Sequence, residues 1–301
     1  MRRMIAIAPA LFALVGAPAL AQQPDLAAAT IKTHQARGDV YMLEGPGGNV
    51  GVLIGADGAL VVDDQFAPLS GKITAAVKAL SPHPVAIVVN THWHGDHTGG
   101  NEAFAAAGAM IFAHENVRSR LQSGLKRPTR VTPPAPPQAL PVATFSDAAT
   151  LYWNDEEVAI MHTAPAHTDG DSLVLFRNAN VIHMGDNFFR DGYPFIDLAS
   201  GGDLDGSIAA QERALALIDD ETIIIPGHGP LSKKADLAAS AAMLRDVRAR
   251  VQKLVDRGLD EDAVVRARPL ADLDPKWGVV WVNGEDMTRT AYKSLAAKKP
   301  K

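Results

Sequence analysis

The chain has 301 residues, of which 47% are hydrophobic and 21% charged, and its formal net charge is −5. This length suits one large globular domain, and the acidic balance argues against a nucleic-acid-binding protein. The sequence contains no cysteine, which excludes disulfide bonds and thiolate metal ligands.

The N-terminal segment has the pattern of a secretory signal peptide. Two arginines at positions 2 and 3 precede an apolar stretch at 5–15, which is shorter than a membrane span. Ala19-Leu20-Ala21 then forms a small-x-small cleavage site. We expect residues 1–21 to be removed, leaving a periplasmic or secreted chain at 22–301 without stable membrane insertion. An uncleaved anchor is the alternative, and N-terminal sequencing of the mature protein distinguishes the two.

Hydrophobic periodicity predicts strands and helices in alternation over the first half of the chain. Runs of apolar residues that are short and bounded by turn residues indicate buried strands, whereas apolar residues three and four apart indicate helices. The predicted elements are a hairpin of strands at 49–54 and 59–62, a helix at 70–80, a strand at 85–89, a helix at 101–107 and a strand at 110–113.

The segment after the predicted strand at 85–89 reads THWHGDHTGGN and carries four side chains that can bind metal. In extended backbone, residues two apart point the same way, so His92 and His94 can bind one ion. Asp96 and His97 lie on the following turn and can bind a second. Histidine and carboxylate ligands suit zinc and other divalent transition metals. A polar surface turn is the alternative, but it would crowd and desolvate these groups without a cation to organise them.

The second half is predicted to repeat the alternation after a proline-rich segment. Residues 127–141 contain six prolines, a density that excludes a helix or a central strand. We predict a loop that joins two half-domains, either as a rigid linker or as a wall of the substrate cleft. Periodicity alone indicates an α/β fold. The predicted strands lie at 150–153, 158–162, 172–176, 181–184 and 223–225, and the helices at 204–218, 232–257 (with Ser232 as N-cap) and 286–297.

Further metal-binding side chains follow in chain order, each in a loop next to an apolar run. His167 lies in the segment PAHTDGD, Asp186 ends MGD, and His228 is the centre of PGHGP. With the His-x-His-x-Asp-His motif and Asp63 at the end of LVVD, this ordered set resembles the metallo-β-lactamase-fold superfamily over residues 60–230. The resemblance implies a four-layer αββα sandwich in which two sheets lie face to face with helices outside.

The resemblance also implies a centre for two zinc ions and assigns roles to named residues. The ions would polarise the substrate carbonyl and supply a bound hydroxide, because zinc lowers the pKa of bound water to about 7. Asp96 could also orient the nucleophile or carry a proton. In this assignment His92, His94 and His167 hold the first ion, Asp96, His97 and His228 hold the second, and Asp186 bridges both.

Other residues are expected to surround this centre. By resemblance, Asp63 supports the metal loop, and Asp171 and His162 are candidates to orient ligands, although a core hydrogen-bonding role for His162 is the alternative. Arg190 and Tyr193 are expected to border the cleft. There Arg190 could pair with a substrate carboxylate or form a surface salt bridge.

At two positions the chain differs from better-known branches of the superfamily, and each difference reduces the number of candidate functions. Asp186 stands where cysteine-containing zinc β-lactamases carry a cysteine, and an aspartate there is similar to glyoxalase-II-like thioesterases. His94 replaces the glutamate of the di-iron flavoprotein branch, which favours zinc hydrolysis over redox iron chemistry. The resemblance therefore implies a dinuclear zinc hydrolase of a small molecule, a cyclic amide or ester, with β-lactams as a candidate, and the signal-peptide pattern adds that it is exported.

Two alternatives remain open at this point. The first is a thioesterase or lactonase of the same fold, which Asp186 favours, although export counts against a glutathione thioester because that pool is mainly cytosolic. The second is a non-catalytic periplasmic metal-binding accessory to quinoprotein oxidation. The full set of seven ligands favours catalysis over the accessory role.

Overall fold

Two large β-sheets form the centre of the described chain. The structure is a computed structural model and describes residues 25–127 and 131–298. The predicted signal peptide at 1–21 therefore lies outside the described residues. The strands are β1 (Lys32–Arg37), β2 (Val40–Glu44), β3 (Val50–Leu53), β4 (Ala59–Val62), β5 (Val85–Asn90), β6 (Met110–His114), β7 (Leu125–Lys126), β8 (Val131–Thr132), β9 (Ala143–Phe145), β10 (Ala148–Trp153), β11 (Glu156–His162), β12 (Ser172–Phe176), β13 (Val181–His183) and β14 (Ile223–Ile225).

Both large sheets combine antiparallel and parallel pairing. The first has the strand order β1-β2-β3-β4-β5-β6-β9, antiparallel from β1 to β4 and parallel from β4 to β9. The second has the order β10-β11-β12-β13-β14, antiparallel up to β13, with β13 and β14 parallel. Within the described part of the proline-rich segment, β8 pairs with β7 outside both large sheets, and Pro137–Ala139 form one turn of 3-10 helix. The prediction that this segment forms no central strand is therefore confirmed there, and the only helical element among its described residues is that single turn.

Helices follow the strands in the alternation that the periodicity predicted. Within residues 25–127 and 131–298, no helix is long and apolar enough to cross a membrane. The helices are α1 (Ser70–Leu80), α2 (Gly95–Thr98), α3 (Asn101–Ala106), α4 (Glu115–Ser123), α5 (Leu204–Leu217), α6 (Lys234–Asp256), α7 (Glu261–Arg266), α8 (Asp274–Trp277) and α9 (Gly284–Ala296).

The buried side chains show that the fold has four layers. Because successive residues of a strand point to opposite faces, each sheet presents one apolar face to the other sheet and one to helices. Leu60 of β4 and Ile160 of β11 belong to one buried cluster between the sheets. The outer face of the first sheet packs on Ile73 of α1. On the second sheet, Ile182 of β13 packs with Leu237 of α6. The predicted αββα sandwich is therefore confirmed.

The long helix α6 begins later than predicted. Ser232 does not cap it, because its backbone pairs with Ile224 in an isolated β-bridge. Lys233 occupies the N-cap position, and the Asp236 carboxylate accepts a hydrogen bond of 2.9 Å from the Lys233 N–H. Gly258, with φ of +80°, follows the end of the helix, in the left-handed region that favours glycine.

Some elements were not predicted from the sequence. They include strands β1 and β2 and helices α4, α7 and α8. In β1, all six residues are exposed or half-buried, as expected of an edge strand that lacks the alternation on which strand prediction depends.

The C-terminal helices form a separate apolar cluster that supports the loop after β13. Val247 of α6 and Ala291 of α9 are buried in this cluster with Tyr193 and Trp277. The Tyr193 N–H donates to the Trp277 carbonyl at 2.7 Å, which ties the loop after β13 to the end of α8, directly before the segment at 278–282. That segment is thereby brought to the edge of the sheets where the metal-binding motifs lie.

Candidate metal centre

The seven side chains with metal-binding chemistry converge from loops that follow strands of both sheets. His92 and His94 directly follow β5, and Asp96 and His97 lie on the short helix α2. The other three come from the second sheet. His167 lies in the loop between β11 and β12, Asp186 follows β13, and His228 follows β14.

The first ligand set contains three histidines and one aspartate. Its members are His92, His94, His167 and Asp186. Each offers one ligand atom, and these four atoms all lie within 4.8 Å of one another. The His167 Nε2 atom is 2.9 Å from the His94 Nδ1 atom, and Asp186 Oδ2 is 3.4 Å from His167 Nε2 and 3.7 Å from His92 Nε2. This set therefore matches the group that the resemblance implies for the first ion.

The second ligand set contains Asp96, His97 and His228, which also meet within 4.8 Å. The Nε2 atoms of the two histidines are 3.4 Å apart, and Asp96 Oδ2 is 3.4 Å from His228 Nε2. Asp186 reaches this set with its other oxygen, because Oδ1 is 3.1 Å from His97 Nε2 and 3.4 Å from His228 Nε2. Its carboxylate thus lies between the two sets and faces both.

Each histidine of the metal loop is held through the ring nitrogen that faces away from the centre. His97 Nδ1 donates to Asp63 Oδ2 at 2.7 Å, as the resemblance implied for Asp63. His92 Nδ1 donates to the Thr91 hydroxyl at 3.1 Å, and that hydroxyl donates to Asp63 Oδ2 at 2.7 Å. Asp63 has a φ of +64°, a conformation that costs energy in a non-glycine residue and is found at functional sites. These contacts orient the opposite ring nitrogens toward the centre.

Two further supports were not found from the sequence. His94 Nε2 donates to Asp197 Oδ2 at 2.9 Å, and His167 Nδ1 donates to the Phe195 carbonyl at 2.6 Å. Asp197 also accepts from the Ser200 hydroxyl and contacts the Arg127 guanidinium. Burial would raise the pKa of Asp197, but these partners hold it well below its usual range. Asp197 could not be recognised from the sequence as a partner of His94, because it is an aspartate outside any motif.

The buried atoms and their charges fit a cation at this place. His92 Nε2 and Asp186 Oδ1 are buried without a hydrogen-bond partner, which is costly unless something else binds them. Burial lowers the pKa of His92 well below its usual range, so its imidazole is neutral. Burial would raise the pKa of Asp186, but four facing histidines, His97 first, hold it well below its usual range. Neutral imidazole and ionised carboxylate are the forms that bind metal.

The charges of the second ligand set also fit a bound cation. Burial lowers the pKa of His97, but Asp186, Asp63 and Asp96 together raise it well above its usual range. Burial would raise the pKa of Asp96, and the neighbouring histidines, His97 first, bring it to about 2. The set therefore holds a positive charge, as a proton or as a metal ion.

Two residues expected to orient ligands lie elsewhere. The Asp171 carboxylate accepts hydrogen bonds from the Thr168 N–H at 2.9 Å and its hydroxyl at 2.5 Å, so it shapes the turn after His167 without touching an imidazole. His162 contacts the Asp171 carbonyl at 2.9 Å and stacks on His114 with ring centroids 3.7 Å apart. In the structure His162 contacts none of the seven candidate ligands, and its contacts are those of the alternative core role.

A cavity of about 300 Å³ opens beside His228 and contains both predicted cleft residues. Arg190 pairs with Asp191 and Asp236, each at 3.0 Å, so the salt-bridge alternative describes its present contacts. The Tyr193 ring is buried, and its hydroxyl donates to Asp274 at 3.1 Å. Tyr193 therefore lines the cavity as expected, while its hydroxyl is engaged with Asp274 of α8.

Two aromatic residues of this cavity lie against the His228 ring. Phe189 stacks on the His228 ring with centroids 4.9 Å apart, and Trp281 meets the same ring edge-on at 4.3 Å. Trp281 was not predicted from the sequence, because it lies 53 residues after His228 in a segment without a motif. Their positions depend on the packing of the C-terminal helices, which local patterns do not report.

Comparison with known proteins gives a family that agrees with the one that the sequence motifs resemble. Residues 43–228 match the family model described as "Metallo-beta-lactamase superfamily". A hydroxyacylglutathione hydrolase of Polaromonas sp. is 29% identical over 198 residues, which is 63% of this chain and 67% of that protein. A hydroxyacylglutathione hydrolase of Rhodospirillum rubrum is 28% identical over 174 residues, which is 58% of each chain. Part of each relative's length is therefore outside the similarity.

Solved structures share the fold at low sequence identity. The sec-alkylsulfatase Pisa1 from Pseudomonas sp. superposes with a TM-score of 0.70 and 16% identity, covering 87% of this chain and 50% of that one. A metallo-beta-lactamase from Pontibacter korlensis superposes with a TM-score of 0.60 and 17% identity, covering 72% of this chain and 100% of that one. At these identities the likeness concerns the fold alone.

Proposed function

Because the chain belongs to the metallo-beta-lactamase superfamily, we propose that this metallo-hydrolase uses two zinc ions to hydrolyse an acyl ester, thioester or lactone. The single observation that carries the proposal is the position of Asp186. Its two oxygens lie 3.1–3.7 Å from histidine nitrogens of two separate sets, so one carboxylate can bind two ions. A single tetrahedral zinc ion would use only four of the seven ligands.

The residues of the two ligand sets would have different roles in hydrolysis. Zinc ions bound here would polarise the scissile carbonyl and lower the pKa of water to about 7. His92, His94 and His167 would hold one ion, and His97 and His228 the other, together with Asp96 and the shared Asp186. Asp96 is the most exposed of these side chains, at 27% of its surface, so water reaches its carboxylate. It would orient the attacking water or hold its proton.

The substrate class differs from the one that the sequence pattern placed first. A carboxylate at position 186 in place of cysteine, together with relatives named hydroxyacylglutathione hydrolase, supports acyl esters and thioesters over β-lactams. The likeness to β-lactamase structures, at 17% identity, supports the fold only. The complete ligand set favours catalysis over an accessory role. Export of the chain stays a proposal, supported by the signal-peptide pattern at 1–21.

A hydrolysis screen tests this proposal. The mature protein, stripped of metal and reloaded with zinc, would be incubated with an aryl ester, a lactone, a hydroxyacyl-glutathione thioester and a cephalosporin. We expect zinc-dependent turnover of at least one ester, lactone or thioester, lost on chelation and restored by zinc, and slower turnover of the cephalosporin. A His92→Ala/His94→Ala double variant controls for contaminating hydrolases. No turnover by protein that carries two zinc ions, or turnover of the cephalosporin alone, would overturn the proposal.

A further inference from the structure

Resting on the proposed function, we infer that the cavity beside His228 binds an uncharged aromatic or apolar group of the substrate, and that Trp281 determines this specificity. The preferred substrate is then a neutral ester or lactone with such a group, and not an anionic acyl donor. Three features of the cavity carry this inference: its aromatic wall, its size and apolar lining, and the state of its charges.

The aromatic wall consists of Trp281, Phe189 and the ring of His228. Trp281 leaves 58% of its surface exposed, although such a large ring is usually mostly buried. It meets Phe189 edge-on with centroids 5.7 Å apart and His228 edge-on at 4.3 Å. The three rings therefore form one continuous surface that reaches from a proposed metal ligand to the cavity. A planar group bound there gains burial and ring–ring contact.

The cavity has the volume and surface of a small-molecule site. Its volume of about 300 Å³ is at the lower end of the range for ligand pockets, which are mainly apolar. The lining residues include the apolar Pro46, Val280 and Tyr193 and four glycines, which add no polar side chain. Of the ligand histidines, only His228 is among the lining residues described, so the bound group would lie on the side of the second ligand set.

The charges that line the cavity are already paired. Among the described lining residues other than histidine, Arg190 is the one cationic side chain, and Asp191 and Asp236 engage it at 3.0 Å each. Glu44 is paired with Lys32 and with His34, at 3.4 Å and 2.8 Å. The Arg190 Nε atom is buried without a hydrogen-bond partner, and its two terminal nitrogens already face Asp191 and Asp236, so an entering carboxylate would meet two carboxylates around one guanidinium. Because an unpaired charge is costly to desolvate, the cavity disfavours anionic groups.

Calorimetric titration with a matched pair of probes tests the inference without relying on turnover. The probes are 2-naphthol and 6-hydroxy-2-naphthoate, which share one ring system and differ by a carboxylate. We expect 2-naphthol to bind at least about 10-fold more tightly than the naphthoate. Trp281→Ala should weaken 2-naphthol binding about 10-fold, since ring contact and burial together contribute about 1.4 kcal/mol. Trp281→Phe should retain most of the affinity.

A control variant and a kinetic measurement complete the test. Tyr152→Ala removes a ring that is 77% exposed and does not line the cavity, so it should leave binding unchanged. With 2-naphthyl acetate, Trp281→Ala should raise KM about 10-fold and leave kcat within about twofold, as expected for loss of uniform binding. If the protein hydrolyses no ester, thioester or lactone, the proposed function fails, whereas the naphthol titrations still decide this inference.

Three results would overturn the inference while leaving the proposed function intact. The first is equal or tighter binding of the naphthoate, which would indicate that Arg190 accepts a carboxylate. The second is an unchanged dissociation constant for 2-naphthol in Trp281→Ala. The third is a dimer in solution that Trp281→Ala dissociates, which would assign the exposed apolar segment Val279-Val280-Trp281 to contact with a second copy of the chain.

Discussion

Replacing Asp186 by alanine should lower turnover by roughly 10²-fold or more, as for loss of a key electrostatic element of an active site. The reason is that this carboxylate lies between the two ligand sets, with Oδ1 at 3.1 Å from His97 and Oδ2 at 3.4 Å from His167. Without it, the three ligands Asp96, His97 and His228 would have to hold the second ion alone. The measurement is kcat together with the zinc content of the reloaded variant.

Two control variants make the Asp186 result specific. Asp186→Cys supplies a thiolate, so it should retain more zinc than Asp186→Ala. Asp256→Ala removes an exposed carboxylate at the end of α6 and should leave both zinc content and turnover unchanged. If Asp186→Ala kept native-like turnover and two zinc ions, the residue would not be a metal ligand, and the proposed bridge would be wrong.

Replacing Gly206 by alanine should destabilise the protein by about 3 kcal/mol or more, which is the upper end of the usual cost of overpacking. A Cβ atom at this position of α5 would lie 1.6 Å from the Pro165 carbonyl oxygen and 2.7 Å from its carbonyl carbon. Because both atoms belong to the backbone, no side-chain rotation relieves the clash. The loop that carries His167 would have to move, so the first ligand set should lose zinc affinity as well.

Urea denaturation measures the Gly206 effect, with Gly71→Ala as the matched control. Gly71 lies in α1, and a Cβ atom added there would have open space within 4 Å, so alanine should stabilise the protein by about 0.4–1 kcal/mol. Equal unfolding free energies for the two variants would show that α5 and the His167 loop do not approach each other as closely as the structure has them.

Strands and helices could be predicted from the sequence where a short run of residues carries the pattern by itself. The strands at Ala59–Val62 and Ile223–Ile225 are continuous apolar runs, which is what a strand covered on both faces requires. The seven candidate ligands were also identified locally, because each lies in a short segment that is rich in histidine, aspartate or glycine. His94 and His167 are separated by 73 residues, and it was the resemblance to a known fold that placed them together.

The remaining features of the site depend on packing between distant segments. Asp197 contacts His94 across 103 residues, and nothing near Asp197 in the sequence marks it as a partner of histidine. Trp281 reaches His228 only because the C-terminal helices pack on the loop after β13. Tyr193 was expected to face the cleft, but its hydroxyl is drawn away by Asp274, 81 residues later. Pairings of this kind are decided by the tertiary fold and not by local composition.

The central claim is that one carboxylate, Asp186, joins two ligand sets into a centre for two zinc ions. An anomalous-difference map recorded at the zinc absorption edge from crystals of the zinc-loaded protein tests it most directly. We predict two peaks, one enclosed by His92, His94 and His167 and the other by His97 and His228 together with Asp96, with the Asp186 carboxylate between them. A single peak in fully loaded protein, or peaks outside these two sets, would contradict the account.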